Sequence, residues 1–159
     1  MLLKHRSGNV LRSMLVGTLA AIAAAVPADH SAQHKVMEGV EIYVGIVPAE
    51  MVQGRPKEHP ESEMHGGIPV GKYRYHVLVA LFDQASGKRI TGAEVKARVG
   101  EPGYTGPQKR LESMLINGTV SYGNYFILGP ASYRIEMQIR RPGAAGVIFV
   151  DFKSPQVRG

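Results

Sequence analysis

The chain has no cysteine among its 159 residues. Disulfides, thiolate nucleophiles and cysteine-based zinc or iron–sulfur sites are therefore excluded together. It also lacks the short signatures of hydrolytic and phosphate chemistry. No G-x-S-x-G elbow, P-loop or H-E-x-x-H pattern occurs. No pairing of a nucleophile with a base stands out, so the chain does not read as an enzyme. Long runs of one charge are missing as well. The formal net charge is +6, but the basic residues are scattered, and a nucleic-acid partner is not expected. Internal repeats and low-complexity tracts are absent outside the N-terminus.

Only one long apolar run exists, residues 14–26 (MLVGTLAAIAAAV). It is shorter than the roughly 20 residues that cross a bilayer. Lys4, His5, Arg6 and Arg12 precede it, and Val26-Pro27-Ala28 supplies small residues at its end. This is the layout of a secretory signal peptide, expected over residues 1–28, with an uncleaved anchor as the alternative. The leader holds Lys4, Arg6 and Arg12 and no acidic residue, so half of the +6 net charge leaves with it. The mature chain then starts near Asp29 and is exported, with the bacterial periplasm as the expected compartment. Residues 29–159 are expected to form a single domain, long enough to bury a core.

After the leader, apolar residues alternate or come in short solid runs, without sustained helical spacing. Strands are predicted over 40–47 (VEIYVGIV), 73–82 (YRYHVLVALF), 90–99, 109–116, 121–128, 133–140 and 146–152. The run 73–82 is apolar on both faces near its end, which suits a central strand. Asp83–Lys88 reads as a turn, and Asn117-Gly118 is a strong hairpin signal. About seven strands at this spacing predict an all-β fold, an immunoglobulin-like or cupredoxin-like antiparallel β-sandwich. Tyr133, opening a late strand after Gly129-Pro130, suits either a tyrosine corner or an ordinary core position. His30 and His34 are assigned to a flexible N-terminus.

One connection, residues 48–71, exceeds the usual loop length of about 12–15 residues, and such loops are commonly functional. Its prolines argue against a helix. It contains His59-Pro60-Glu61-Ser62-Glu63-Met64-His65. Without cysteine, imidazole, carboxylate and thioether are the side chains left to hold a transition metal. His59, Glu61, Glu63 and His65 stand at even offsets, so in extended backbone they share a face. Met64 and Met114 are candidate thioether ligands that favour copper, especially Cu(I), although methionine usually fills core gaps. His76, inside a strand, reads as a buried or edge histidine.

These pieces resemble the periplasmic iron-transport proteins of bacterial high-affinity iron uptake. The likeness runs from about residue 40 to 141. It rests on the first strand followed by Pro48-Ala49-Glu50-Met51, on the H-x-E-x-x-x-H spacing of His59, Glu61 and His65, and on residues 81–91 (LFDQASGKRIT). Residues 114–123 (MLINGTVSYG) and 129–142 (GPASYRIEMQIRRP) complete it. The resemblance implies a small exported sandwich that binds iron or copper, usually dimerises and serves a membrane iron transporter (permease). It implies His59, Glu61 and Met114 as metal ligands; His65 is a local candidate to replace a missing ligand, and His76 a poorer one. Ser121 occupies a position where the family has a ligand histidine. Gly143-Ala144-Ala145-Gly146 lies where the family has a further one.

Two readings follow. The first is a periplasmic protein that binds iron or copper through His59, Glu61, His65 and Met114 and hands it on. The second is a metal-free interaction module of the same ancestry, for which Ser121 and the Gly-Ala-Ala-Gly turn speak. Approach of Met114 to His59 and Glu61 within shared coordination distance separates them.

Overall fold

The computed structural model describes residues 33–53, 67–154 and 156–157. The expected leader lies outside the described residues. Eight strands are present: β1 (His34–Met37), β2 (Val40–Pro48), β3 (Arg74–Asp83), β4 (Glu94–Gly100), β5 (Gln108–Ile116), β6 (Thr119–Ile127), β7 (Arg134–Arg140) and β8 (Ile148–Lys153). They pair antiparallel in the order β1-β2-β3-β6-β5-β4-β7-β8. The expected all-β sandwich is what forms.

Both layers come from one folded sheet, and β5 makes the fold. Its first residues pair with β4, as in Val95↔Leu111. From Glu112 onward it pairs with β6, as in Glu112↔Gly123. One layer is thus β1, β2, β3, β6 and the end of β5, with β3 in the middle. The other is the start of β5 with β4, β7 and β8. The outer strands come back together, since Lys35 on β1 lies 3.8 Å from the Asp151 carboxylate on β8. Its ammonium also sits 5.5 Å from the Phe152 ring centre.

The core is filled by the inward half of each alternating strand. Ile42 and Val44, Val77, Val79 and Leu81, Val95 and Ala97, Leu111, Tyr122 and Phe126 meet Ile135, Met137, Ile139, Ile148 and Phe152. Tyr133 is a tyrosine corner in geometry. Its hydroxyl donates to the Gly129 carbonyl at 3.2 Å, and Ser154 Oγ accepts its N–H at 2.9 Å. Burial raises the Tyr133 phenol above its ordinary pKa.

Three departures from the sequence reading have local causes. The eighth strand is β1, which carries His34 in a residue run assigned to a flexible terminus. Its hairpin turns on Glu38-Gly39, both at positive φ (49° and 74°). The β5–β6 hairpin uses Asn117-Gly118 at nearly the same angles (50° and 74°). Asn-Gly announces such a turn in sequence and Glu-Gly does not. Strand β4 starts at Glu94 rather than Ile90, because the Tyr122 hydroxyl captures that segment. It donates to the Ile90 carbonyl at 3.2 Å and accepts from the Ala93 N–H at 3.0 Å. Lastly, one helical turn, α1 (Glu50–Gln53), follows β2. The prolines at 48 and 56 leave that much room between them.

Candidate metal centre

Strand register sorts the β3–β6–β5 region into two faces. Val77, Val79 and Leu81 face the core, so His76, Leu78 and Ala80 face away from it. The pairs Leu78↔Gly123 and His76↔Tyr125 put Gly123 and Tyr125 on that same outer face. The pairs Glu112↔Gly123 and Met114↔Ser121 add Glu112, Met114 and Ser121.

The outward face of a two-layer sandwich is ordinarily solvated. Here its middle is not. His76 is 1% exposed, Met114 2% and Ser121 8%. Tyr125 is buried with them, and its ring stacks on the His76 imidazole at 4.5 Å and 25°. Neither Met114 nor Tyr125 belongs to the main core cluster. A second, smaller buried patch therefore sits on the far side of the sheet.

Gly123 is the floor of this patch. A Cβ there would lie 2.6 Å from His76 Nε2, 2.8 Å from the Met114 methyl and 3.1 Å from Leu78 Cδ2. All three are closer than van der Waals contact allows, so the imidazole edge and the thioether end occupy the space a side chain would need. They approach it from opposite diagonals, His76 from β3 and Met114 from β5. The imidazole–thioether donor set suits a soft transition-metal ion.

Of the expected ligands, Met114 is placed on this patch. His59, Glu61 and His65 lie outside the described residues. The connection that carries them leaves β2 and re-enters β3 at one end of the sheet. There Pro48 pairs with Tyr75 and Val47 with His76, and the Ala49 N–H donates to the Arg74 carbonyl at 2.8 Å. Both anchors of the connection are thus neighbours of His76. Among the described residues, no three His, Cys, Asp or Glu side chains gather as a metal site.

Ser121 stands directly across from Met114. The positions that the resemblance assigns to a ligand Met and a ligand His are therefore cross-strand neighbours, and only the first keeps a strong donor. The residue that sequence reasoning undervalued is His76. Burial was one of its two expected placements, the other being an edge, but its convergence with Met114 over Gly123 depends on β3–β6–β5 register, which sequence spacing does not contain. His34 is elsewhere on the same layer, stacked on Tyr43 at 4.3 Å. A cleft of about 590 Å³ lined by Tyr104, Tyr133, Arg134 and Lys153 is also separate, against the other layer.

No protein-family model matches the chain, and no curated protein matches it by sequence. Solved structures do match in shape. A copper-bound variant of FetP from uropathogenic Escherichia coli strain F11 aligns with a TM-score of 0.60 and 14% identity, covering 78% of this chain and 93% of that one. A copper-bound variant of Campylobacter jejuni P19 gives 0.57 and 13%, covering 76% and 92%. A DUF4426 family protein from Pseudomonas aeruginosa PAO1 gives 0.53 and 11%, covering 77% and 94%. What they share with this chain is the fold.

Proposed function

We propose that this is an exported metal-binding protein that takes copper on the outer face of the β3–β6–β5 layer. The observation that carries the reading is Met114, a thioether buried on the side of the sheet turned away from the core. It sits beside a glycine gap and directly opposite Ser121. Methionine in a core fills space. A methionine buried outside the core, next to an imidazole, has the surroundings of a soft ligand.

Two similar folds are copper-bound proteins, FetP and P19, which supports copper over iron. A second FetP structure of the same fold came from protein expressed in the periplasm of E. coli, in keeping with the expected export of this chain. In this reading His59 and His65 supply imidazoles and Glu61 a carboxylate from a connection anchored beside His76. Met114 supplies the sulfur. The metal is bound and passed on with no covalent chemistry, and the receiving partner is a membrane transporter of the iron-permease type. Ser121, which replaces a strong ligand, favours the competing reading of a metal-free interaction module.

Titration of the full chain with Cu(II) and with Fe(II), followed by metal analysis, tests the proposal. One tightly held copper per chain, lost in a His59→Ala/His65→Ala double variant, is the expected result. Copper binding that is weak and unchanged in the double variant would overturn it in favour of the interaction module.

A further inference from the structure

We infer that His76 is itself a metal ligand, and that His76 and Met114 together make a soft site selective for Cu(I). The inference rests on the metal-binding reading above and adds to it a ligand and an oxidation state.

Three observations carry it. First, His76 Nε2 and the Met114 methyl converge on one point, the missing Cβ of Gly123, at 2.6 and 2.8 Å. Convergence from two different strands needs a residue without a side chain between them, and Gly123 is that residue. Second, Tyr125 stacks on the imidazole, which holds the plane of that ring. Third, both side chains are almost fully buried, while the carboxylate on the same face, Glu112, is exposed opposite Gly123.

The choice of ion follows from these surroundings. The floor of the patch offers one neutral imidazole and one neutral thioether. Cu(I) carries a single charge, prefers soft donors and imidazole, and tolerates low coordination number. His76 also compensates for Ser121. The imidazole missing from β6 is supplied from β3, the strand on the other side of β6, and on the same face.

The test is Cu(I) binding by the full chain under anaerobic, reducing conditions, in competition with a chromogenic Cu(I) chelator. Wild type is compared with His76→Leu, Met114→Leu and Met51→Leu, the last removing an exposed methionine on α1. The expected result is one Cu(I) per wild-type chain, with affinity unchanged in Met51→Leu. His76→Leu and Met114→Leu should each weaken binding beyond the about 10–100-fold that losing a ligand's supporting hydrogen bond costs.

His76 is buried, so its variant can fail by unfolding. A second measurement therefore reads wild type alone. Ag(I), a redox-inert stand-in for Cu(I), is added to protein labelled with nitrogen-15 at histidine, and the His76 Nε2 resonance is followed. A shift of that resonance at one equivalent supports the assignment. Copper or silver binding with His76 unmoved overturns it and leaves the metal-binding reading standing, with His59 and His65 to be followed in the same spectrum. Absence of both Cu(I) and Cu(II) binding overturns both.

Discussion

Gly123 has no side chain at the one point where two strands send polarisable groups toward each other. That makes it the most informative residue for a substitution. Gly123→Ala puts a methyl against His76 Nε2, the Met114 methyl and Leu78 Cδ2, and all three contacts are too short to keep. Overpacking of this kind costs about 1–3 kcal/mol. The expected outcome is a lower denaturant midpoint with an unchanged m-value, together with weakened Cu(I) binding because Met114 and His76 are pushed apart. Gly45→Ala is the comparison on the same sheet layer, since its new Cβ would meet nothing closer than Leu78 Cβ at 3.9 Å. Equal loss of stability in the two variants would show that the patch over Gly123 is looser than described. Residue identity alone told little here. Tyr122-Gly123 was visible in sequence as part of a resemblance, but the reason for glycine lies in two side chains on other strands.

At the scale of elements, the hairpins and turns decide where strands begin and end. The β3–β4 connection starts with Asp83, whose carboxylate accepts from the Ser86 N–H at 2.8 Å and from the Ser86 hydroxyl at 2.7 Å. These hydrogen bonds hold the Asp83 carboxyl below its ordinary pKa. A carboxyl depressed in the folded state stabilises the fold above its ordinary value, and that contribution disappears as pH falls through the depressed value. Thermal melts of wild type and Asp83→Asn should therefore differ most near neutral pH and draw together on acidification. A gap independent of pH would mean that the charge on Asp83 plays no part in the turn. This turn was legible in sequence, as was Asn117-Gly118, because both use residues whose local chemistry favours the required backbone. The Glu38-Gly39 turn was not. Glutamate at φ 49° gains nothing locally and is held there by the pairing of β1 with β2.

At the scale of the whole molecule, β5 joins the two layers by pairing with β4 and then with β6. Leu111 marks the crossing, for it pairs with Val95 on β4 while the next residue pairs with Gly123 on β6. It is buried in the shared core. Leu111→Ala should cost about 2–5 kcal/mol and lower the stability of both layers equally. Native-state hydrogen exchange checks this, because amides of β2–β3 and of β7–β8 should open with the same free energy. Loss of protection confined to one layer would show that the layers unfold separately. The Lys35–Asp151 pair that links the outer strands adds little, being half exposed on both sides.

The sequence by itself determined the all-β class, the central strand, most strand positions and the turns built from Asn, Asp and Gly. It did so because alternation and turn chemistry are local properties, readable within a few residues. It also offered Met114 and residues within 59–65 as candidate metal ligands. The tertiary structure alone decided that Met114 faces away from the core, that it stands opposite Ser121, and that His76 meets it over Gly123. These are matters of register between strands far apart in the chain, and a shift of one residue in pairing turns every side chain to the other face.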